Sequence, residues 1–587
     1  MIVLSIAVDP SFAQNKYWVF FKDKPNVDAF TRRSKDESVE TYLVGSGVLT
    51  QRAINRRLKV LPPSAVVSSS DLPVYSPYLD SLKSDGLTVI GTSRWFNAAV
   101  VVADTVHLKM VQQLPFVVAT KKIVFYTSRI GPVNPVRASQ KIPMRVSSQL
   151  GDSSFYGPSF TQYELSGIPQ VHSLGINGSG VLIGMLDTGF RYETHDALKN
   201  IRIVGEHDFI QNDSITENQR GDASDQDNHG TSTLSVLGGY SPGNIVGVAY
   251  GADFMLAKTE YVPVTDYKWE EDNWVEGIEW MEARGVDIVS SSLGYDIFVD
   301  SSGAIDSSES YFWSRGDFNG KTALASIAAT RAADLGVIVV DAMGNEGNGN
   351  GTIGTLLIPA DADSIISVGA VNSNDDLAYF SSTGPTNDGR IKPDLVADGE
   401  GDYVAVVPGP DTYAYESGTS FSTPITAGVA ALILSVRPDF TPMQVINLLK
   451  STAVKVNDPT FPTRTSTYPN NFYGSGIVNA WNAIKVLGIA GISDSENLSL
   501  FNNYPNPFNS ETNISFVLKN DFYVSIDVFD ILGRKVKAVF AGELSSGYQK
   551  FIWNGISNNG QDVSSGVYFI RVNVAGSVKV LKSLYLK

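Results

Sequence analysis

Three regimes of hydrophobic patterning divide the chain. Over residues 15–125, strand-like runs (KYWVFFK, LTVIGTS, NAAVVVA) alternate with stretches of helical spacing (SGVLTQRAINRRL, SPYLDSLKSDG, TVHLKMVQQL), which predicts a small α+β unit. Between about 164 and 490 the runs become short, β-branched and apolar throughout: GVLIGMLD, DFMLAK, VDIVSSS, GVIVVDAMG and SIISVGAV. Strands of that kind are covered on both faces. Helical stretches such as NWVEGIEWMEARG and TALASIAATRAADLG lie between them, so a parallel α/β sheet with right-handed crossovers is expected. After Gly491 the pattern turns to strict alternation (NISFVLK, YVSIDVFD, KFIWNG, GVYFIRVNV) broken by Gly, Asn and Ser turns, which predicts a β-sandwich over 491–587. Residues 126–163, rich in Ser, Pro, Gly and Arg without a period, read as a linker.

At 587 residues the chain is too long for one core, in line with these divisions. The net charge of −16 leaves no surplus of Lys and Arg for a phosphate backbone, which argues against nucleic acid as a partner. That charge is unevenly placed: about +9 over residues 1–150, about −27 over 151–494 and about +2 in the tail. A basic unit beside a strongly acidic one can bind it through complementary fields. Cysteine is absent, so disulfides and thiolate chemistry are excluded. The opening MIVLSIAVDPSFAQ holds a short apolar run before Ser11, Phe12 and Ala13, as expected for a signal-peptide remnant over 1–14.

Ligands of parallel sheets sit at the carboxyl ends of the strands, and the candidate chemistry lies there. Asp187 ends the run VLIGMLD. Of the five histidines only His229 stands at a helix entrance, while His107, His172, His195 and His207 read as structural or surface residues. In YESGTSFSTPITAGVAALILS, residues 415–435, hydroxyl groups crowd the mouth of an apolar helix and Ser420 sits in its first turn. Unpaired N–H groups and the positive dipole end there stabilise an oxyanion beside the hydroxyl. A serine is a poor nucleophile until a base takes its proton, and the base works best when a carboxylate fixes its tautomer. Asp187, His229 and Ser420 are the candidates for those roles. Asn345, in the Gly-flanked loop of VIVVDAMGNEG, is the candidate oxyanion donor.

The surrounding words resemble those of the subtilisin-like serine peptidases, the S8-type subtilases. They are DTG at 187–189, HGT at 229–231, SLG at 292–294, GNEG at 344–347, FSSTGPTNDGRIKPDLVADG at 380–399 and GTSFSTP at 418–424. The resemblance implies a secreted serine endopeptidase, made as a precursor, that hydrolyses peptide bonds through an acyl-enzyme. Asp187 is then the orienter, His229 the general base, Ser420 the nucleophile and Asn345 the oxyanion donor, with Ser292, Leu293 and Gly294 as an edge for an extended polypeptide substrate. Two departures stand out. Ser232 replaces the second histidine of HGTH, and Phe421 replaces the methionine of GTSM. Asp341, near the oxyanion loop, is expected to raise the His229 pKa if close and ionised.

Residues 15–125 resemble the inhibitor-like propeptides of such enzymes, notably at KDKPN and SRWFNAAVV, which implies an intramolecular inhibitor cut away downstream. The tail resembles the type A sorting domain of the type IX secretion system at NNYPNPFNSETNISFVL, VFDILGRKV and NGQDVSSGVYFIRV. That likeness implies partnership with the type IX secretion machinery and delivery, via the periplasm, to the cell surface or beyond in a Gram-negative bacterium. The chemistry requires no cofactor. Calcium, often bound in the family, has candidate oxygens in QNDSITENQRGDASDQDN, NSNDD and DNHG, but no spaced ligand motif, so no metal ligand is assigned and solvated acidic loops are expected. The glutamates of WEEDNW are likewise expected on a surface face. A catalytically weak surface binding protein on a peptidase scaffold and an esterase are the alternative readings.

Overall fold

A computed structural model of the chain describes residues 16–25, 39–123, 152–262, 271–295, 315–347, 349, 352–458, 462–488, 497–500, 503, 506–518 and 520–587. The expected leader and most of the expected linker lie outside the described residues.

The first unit is a four-stranded antiparallel sheet of β1 (Lys16–Phe21), β2 (Thr88–Ser93), β3 (Ala98–Val102) and β4 (Val117–Lys122), in the order β2-β3-β1-β4. Helices α1 (Gln51–Arg57), α2 (Ser76–Ser84) and α3 (Thr105–Val111) accompany it where helical spacing was read. Thr50 and Asp104 cap α1 and α3 by accepting from N–H groups of the first turn, which sets where those helices start.

The second unit is built on seven strands: β5 (Leu182–Asp187), β6 (Arg202–Asp208), β7 (Asp253–Lys258), β8 (Ile288–Ser291), β9 (Ile338–Ala342), β10 (Ile366–Val371) and β11 (Leu395–Asp398). Their order is β11-β10-β9-β8-β5-β7-β6 and every neighbouring pair is parallel. Strand β5 is the switch point, because the chain runs to β6 and β7 on one side of it and to β8 onward on the other. Helices α4 (Asn228–Gly238), α5 (Glu271–Arg284), α6 (Leu324–Asp334) and α7 (Thr419–Val436) cover the faces, and a hairpin of β12 (Glu400–Ala405) and β13 (Tyr413–Ser417) leads into α7. Helix α7 is long and apolar enough to cross a membrane but is wholly buried against β8 to β11, so it is a core helix. A Cβ on its Gly428 would collide with Val248, the close approach that only glycine allows.

The third unit consists of two antiparallel sheets: β14 (Leu498–Leu500), β15 (Thr512–Leu518) and β18 (Gly547–Trp553), and β16 (Phe522–Asp530), β17 (Lys535–Leu544), β19 (Gly566–Val574) and β20 (Ser577–Tyr585). Phe516, Ile526, Trp553 and Ile570 pack in the core they share, as in a sandwich. The unit docks on the second through Tyr548, whose N–H donates to the Leu174 carbonyl at 2.6 Å and whose hydroxyl donates to the Ser435 carbonyl at 3.0 Å.

Two expectations are corrected. Residues 152–163 belong to the second unit: they form the short helices Ser153–Tyr156 and Phe160–Glu164, and Phe155, Tyr156 and Tyr163 are buried in its core. Their aromatic rings outweigh the linker-like composition around them. Glu271 of WEEDNW is buried and accepts from the Ala325 N–H, 54 residues further on, at 2.9 Å in the first turn of α6.

Prosegment-like and central units meet along α5 and α6. Trp18, Trp95, Val100 and Ile123 share one core with Trp274, Ile278 and Ala328. Around it, Arg56, Arg57 and Arg94 are paired with Glu282, Arg94 also faces Glu279, and Ser93 donates to Glu279. The complementary charge read from the sequence is therefore realised as direct contact.

Candidate active site

Strand β5 delivers Asp187 to the switch point with its side chain sealed from solvent. Asp187 Oδ1 lies 2.7 Å from His229 Nδ1 and accepts from the Thr188 N–H at 2.7 Å, and Oδ2 accepts from the Thr233 hydroxyl at 2.9 Å. The glycines of DTG and HGT explain this closeness. A Cβ on Gly230 would collide with the Gly189 carbonyl, so the bare backbone lets α4 settle onto the end of β5.

Burial disfavours a charged imidazole at His229, which is 6% exposed, but the Asp187 charge, its hydrogen bond and the charge of Glu416 outweigh it. The imidazole is therefore held above its ordinary pKa. Asp341 is not among the groups that act on it. Burial pushes the Asp341 carboxyl well above the usual carboxylate range and pushes the Glu416 carboxyl up as well; of the two, only the Glu416 charge acts on the imidazole.

Ser420 is the second residue of α7 and is buried. Its Oγ lies 3.4 Å from the Ser292 carbonyl, while the Ser292 hydroxyl donates to the Ser420 carbonyl at 2.8 Å. His229 Nε2 is buried without a hydrogen-bond partner. Asp187 and His229 are thus in contact, whereas the Ser420 hydroxyl is turned toward Ser292 and makes no bond to His229. The imidazole ring lies 6.3 Å from the ring of Phe421, next to Ser420, so the departure at Phe421 packs against His229.

Asn345 follows β9. Its Oδ1 accepts from the Thr419 N–H at 2.9 Å and from the Thr419 hydroxyl at 3.1 Å. An N–H can only donate, so the atom facing it must be the oxygen, and the amide nitrogen points the other way. Thr419 and Thr233 orient the site, and the sequence reading missed both. Thr233 was legible one turn after His229 on the same helix; the role of Thr419, 74 residues from Asn345, was not.

Ser292, Leu293 and Gly294 follow β8 and are buried, and Tyr295 pairs antiparallel with Ile358. Among the other histidines, His172 is buried between the Tyr156 hydroxyl at 2.6 Å and the Val248 carbonyl at 2.9 Å, and His107 pairs with Asp104 at the surface. Neither approaches Ser420 through any of these contacts.

The acidic loop after β6 is neutralised from within. Lys258 Nζ lies 2.8 Å from Asp208 and 2.7 Å from Asp222, and Arg191 Nε lies 2.8 Å from Asp227. The Lys258 ammonium thus occupies the space between Asp208 and Asp222. Among the described residues no group of three or more acidic or histidine side chains is arranged to hold a metal.

Residues 178–476 match the subtilase family, residues 16–140 the peptidase S8 propeptide domain of Bacteroidota, and residues 502–587 the secretion system C-terminal sorting domain. Subtilisin DY of Bacillus licheniformis is 30% identical over 310 residues, spanning 53% of this chain and 93% of its own length. Subtilisin E of Bacillus subtilis (strain 168) is 32% identical over 314 residues, spanning 53% and 67%. Serine protease AprX of the same strain is 30% identical over 344 residues, with the same two shares. The sorting domain and the propeptide type place the protein outside the cytoplasm, secreted or on the surface of a Gram-negative cell. A seven-stranded parallel sheet with these matches makes the chain a member of the subtilase family, a subtilisin-like serine endopeptidase carrying its own propeptide.

Proposed function

We propose that the chain is a precursor whose central unit cuts polypeptides through Asp187, His229 and Ser420. The Asp187–His229 contact of 2.7 Å at the switch point, with Ser420 at the head of α7, carries this reading. Rotation about the Ser420 Cα–Cβ bond turns Oγ from Ser292 toward His229 Nε2; such bonds often tighten only with substrate present.

Ser420 Oγ attacks the scissile carbonyl and His229 Nε2 takes its proton, while Asp187 holds Nδ1–H and stabilises the imidazolium. The tetrahedral oxyanion receives hydrogen bonds from Asn345 Nδ2, aimed by Thr419, and from the Ser420 N–H, whose neighbours Thr419 and Phe421 donate to Asn345 Oδ1 and the Gly418 carbonyl. His229 then protonates the leaving amine, and a water repeats the cycle on the acyl-enzyme. The substrate lies along Ser292–Gly294, and the prosegment inhibits the enzyme until it is cut away.

A fluorophosphonate should label Ser420 in the mature enzyme, and Ser420→Ala should leave a folded precursor that neither processes itself nor cuts denatured protein. Labelling at another residue, or full activity in the alanine variant, would reject the assignment.

A further inference from the structure

Asp187 and His229 ride on two pieces of chain that meet glycine to glycine, with the Gly189 carbonyl against Gly230. Bare backbone permits the closeness but brings no interlocking side chains to stop one piece sliding along the other. The Gly230 N–H reaches the Thr188 hydroxyl there, at a long 3.3 Å.

A firmer fastening lies one step out. Arg191, two residues after Gly189, donates from Nε to Asp227 Oδ2 at 2.8 Å, and Asp227 stands two residues before His229. The same Oδ2 accepts from the Asn218 N–H at 3.1 Å. The Arg191 N–H donates to the Thr231 hydroxyl at 2.9 Å, and that hydroxyl donates to the Asp227 carbonyl. Arg191 thus grips the head of α4 twice, by side chain and by backbone, on either side of His229 in sequence.

Asp227 is sealed from solvent and its Oδ1 is buried without a hydrogen-bond partner. Breaking a buried ion pair from one side leaves an uncompensated charge, so this carboxylate depends on the guanidinium. Without it the anion must reach for water, and the segment that would move is the one that carries His229. The Ser292–Gly294 edge follows β8 and takes part in none of these bonds.

We propose that Arg191, acting through Asp227, is a positioning residue for the base: the pair fixes where His229 stands against Asp187. Neither side chain touches substrate or exchanges a proton. This rests on the reading of His229 as the base.

The test is NMR of the full-length Ser420→Ala precursor labelled with a heavy nitrogen isotope at histidine. A proton held between imidazole Nδ1 and a carboxylate resonates far downfield, and the His229 signal is assigned by its loss in H229N. Arg191→Gln should displace or erase this signal in a folded chain. In the mature enzyme it should lower kcat by about tenfold to a hundredfold with KM little changed, as a small misplacement of a catalytic group does. Arg191→Lys, which returns the charge without the planar fork, should recover part of both. If Arg191→Gln does not accumulate, Arg191→Lys decides alone and should show the same changes to a smaller degree. A downfield signal unmoved in the folded variants overturns the proposal, whatever happens to kcat. A displaced signal in a chain that cuts no peptide even with Arg191 and Ser420 intact supports the clamp and counts instead against the peptidase reading.

Discussion

Glu282 Oε2 and Arg57 Nη2 lie 2.8 Å apart with both side chains sealed from solvent, and the pair ties the prosegment to α5 of the peptidase domain. Arg57 Nε reaches Glu282 Oε1 at 2.7 Å, and Arg56 and Arg94 approach the same carboxylate. One buried anion thus holds three guanidinium groups from two segments of the prosegment.

Removing that anion strips the buried Arg56 of its carboxylate partner and takes one of two from Arg57, which keeps Asp71, and from Arg94, which keeps Glu279, a loss of about 3–5 kcal/mol. Glu282→Ala should therefore weaken inhibition of the mature enzyme by added prosegment by about two orders of magnitude or more. An inhibition constant within threefold of the unmodified enzyme would show that the apolar contacts around Trp18 and Trp274 hold the complex alone.

Burial would raise the Glu282 pKa, but the three guanidinium groups outweigh it and hold the carboxyl down at about 2. A carboxyl depressed in the complex stabilises it above the free value of 4.5 and loses that contribution as pH falls toward about 2. The prosegment should accordingly stay bound to the peptidase domain at pH 5 and separate only as the pH drops below 4.5. Gel filtration of the cleaved complex over this range checks it, and complete separation at pH 5 would contradict it.

Asn345→Ala removes the proposed oxyanion donor while leaving Asp187 and His229 in place. The corresponding donor of subtilisin is worth about 2.7–4 kcal/mol, so kcat should fall by about two to three orders of magnitude with KM little changed. A kcat within tenfold of the parent would assign the oxyanion site elsewhere.

Lys258 is buried between Asp208 and Asp222. Lys258→Met leaves two buried carboxylates without their cation, and stability should drop by about 3–5 kcal/mol. Urea unfolding of the mature enzyme measures this; a midpoint unchanged within error would mean that both acids find water instead.

Asp187 and Asn345 were legible because each follows an apolar run that folds into a parallel strand, and His229 and Ser420 because each stands in a short word at the mouth of a helix. The burial of Glu271 was not legible, since its partner is the N–H of Ala325 at the start of a different helix. Asp341 lies close in sequence to the oxyanion loop, but an effect on His229 depends on its being close and ionised, which the sequence leaves open. Burial raises its carboxyl well above the usual range, while the charge that reaches the imidazole belongs to Glu416, which sequence distance from His229 gave no reason to single out. Lys258 similarly reads as the end of a strand until the acidic loop folds over it.

The order of apolar and polar residues along the chain determined by itself that there would be three units, which strands would be covered on both faces, and which side chains would stand at their ends. These follow from local periodicity and from the water aversion of apolar surface, properties that each segment carries alone. Tertiary structure decided which charges meet, because Coulomb energy and hydrogen bonding depend on distances between segments far apart in the chain. Those distances set Glu282 among three arginines, Lys258 between two aspartates and Asp187 against His229.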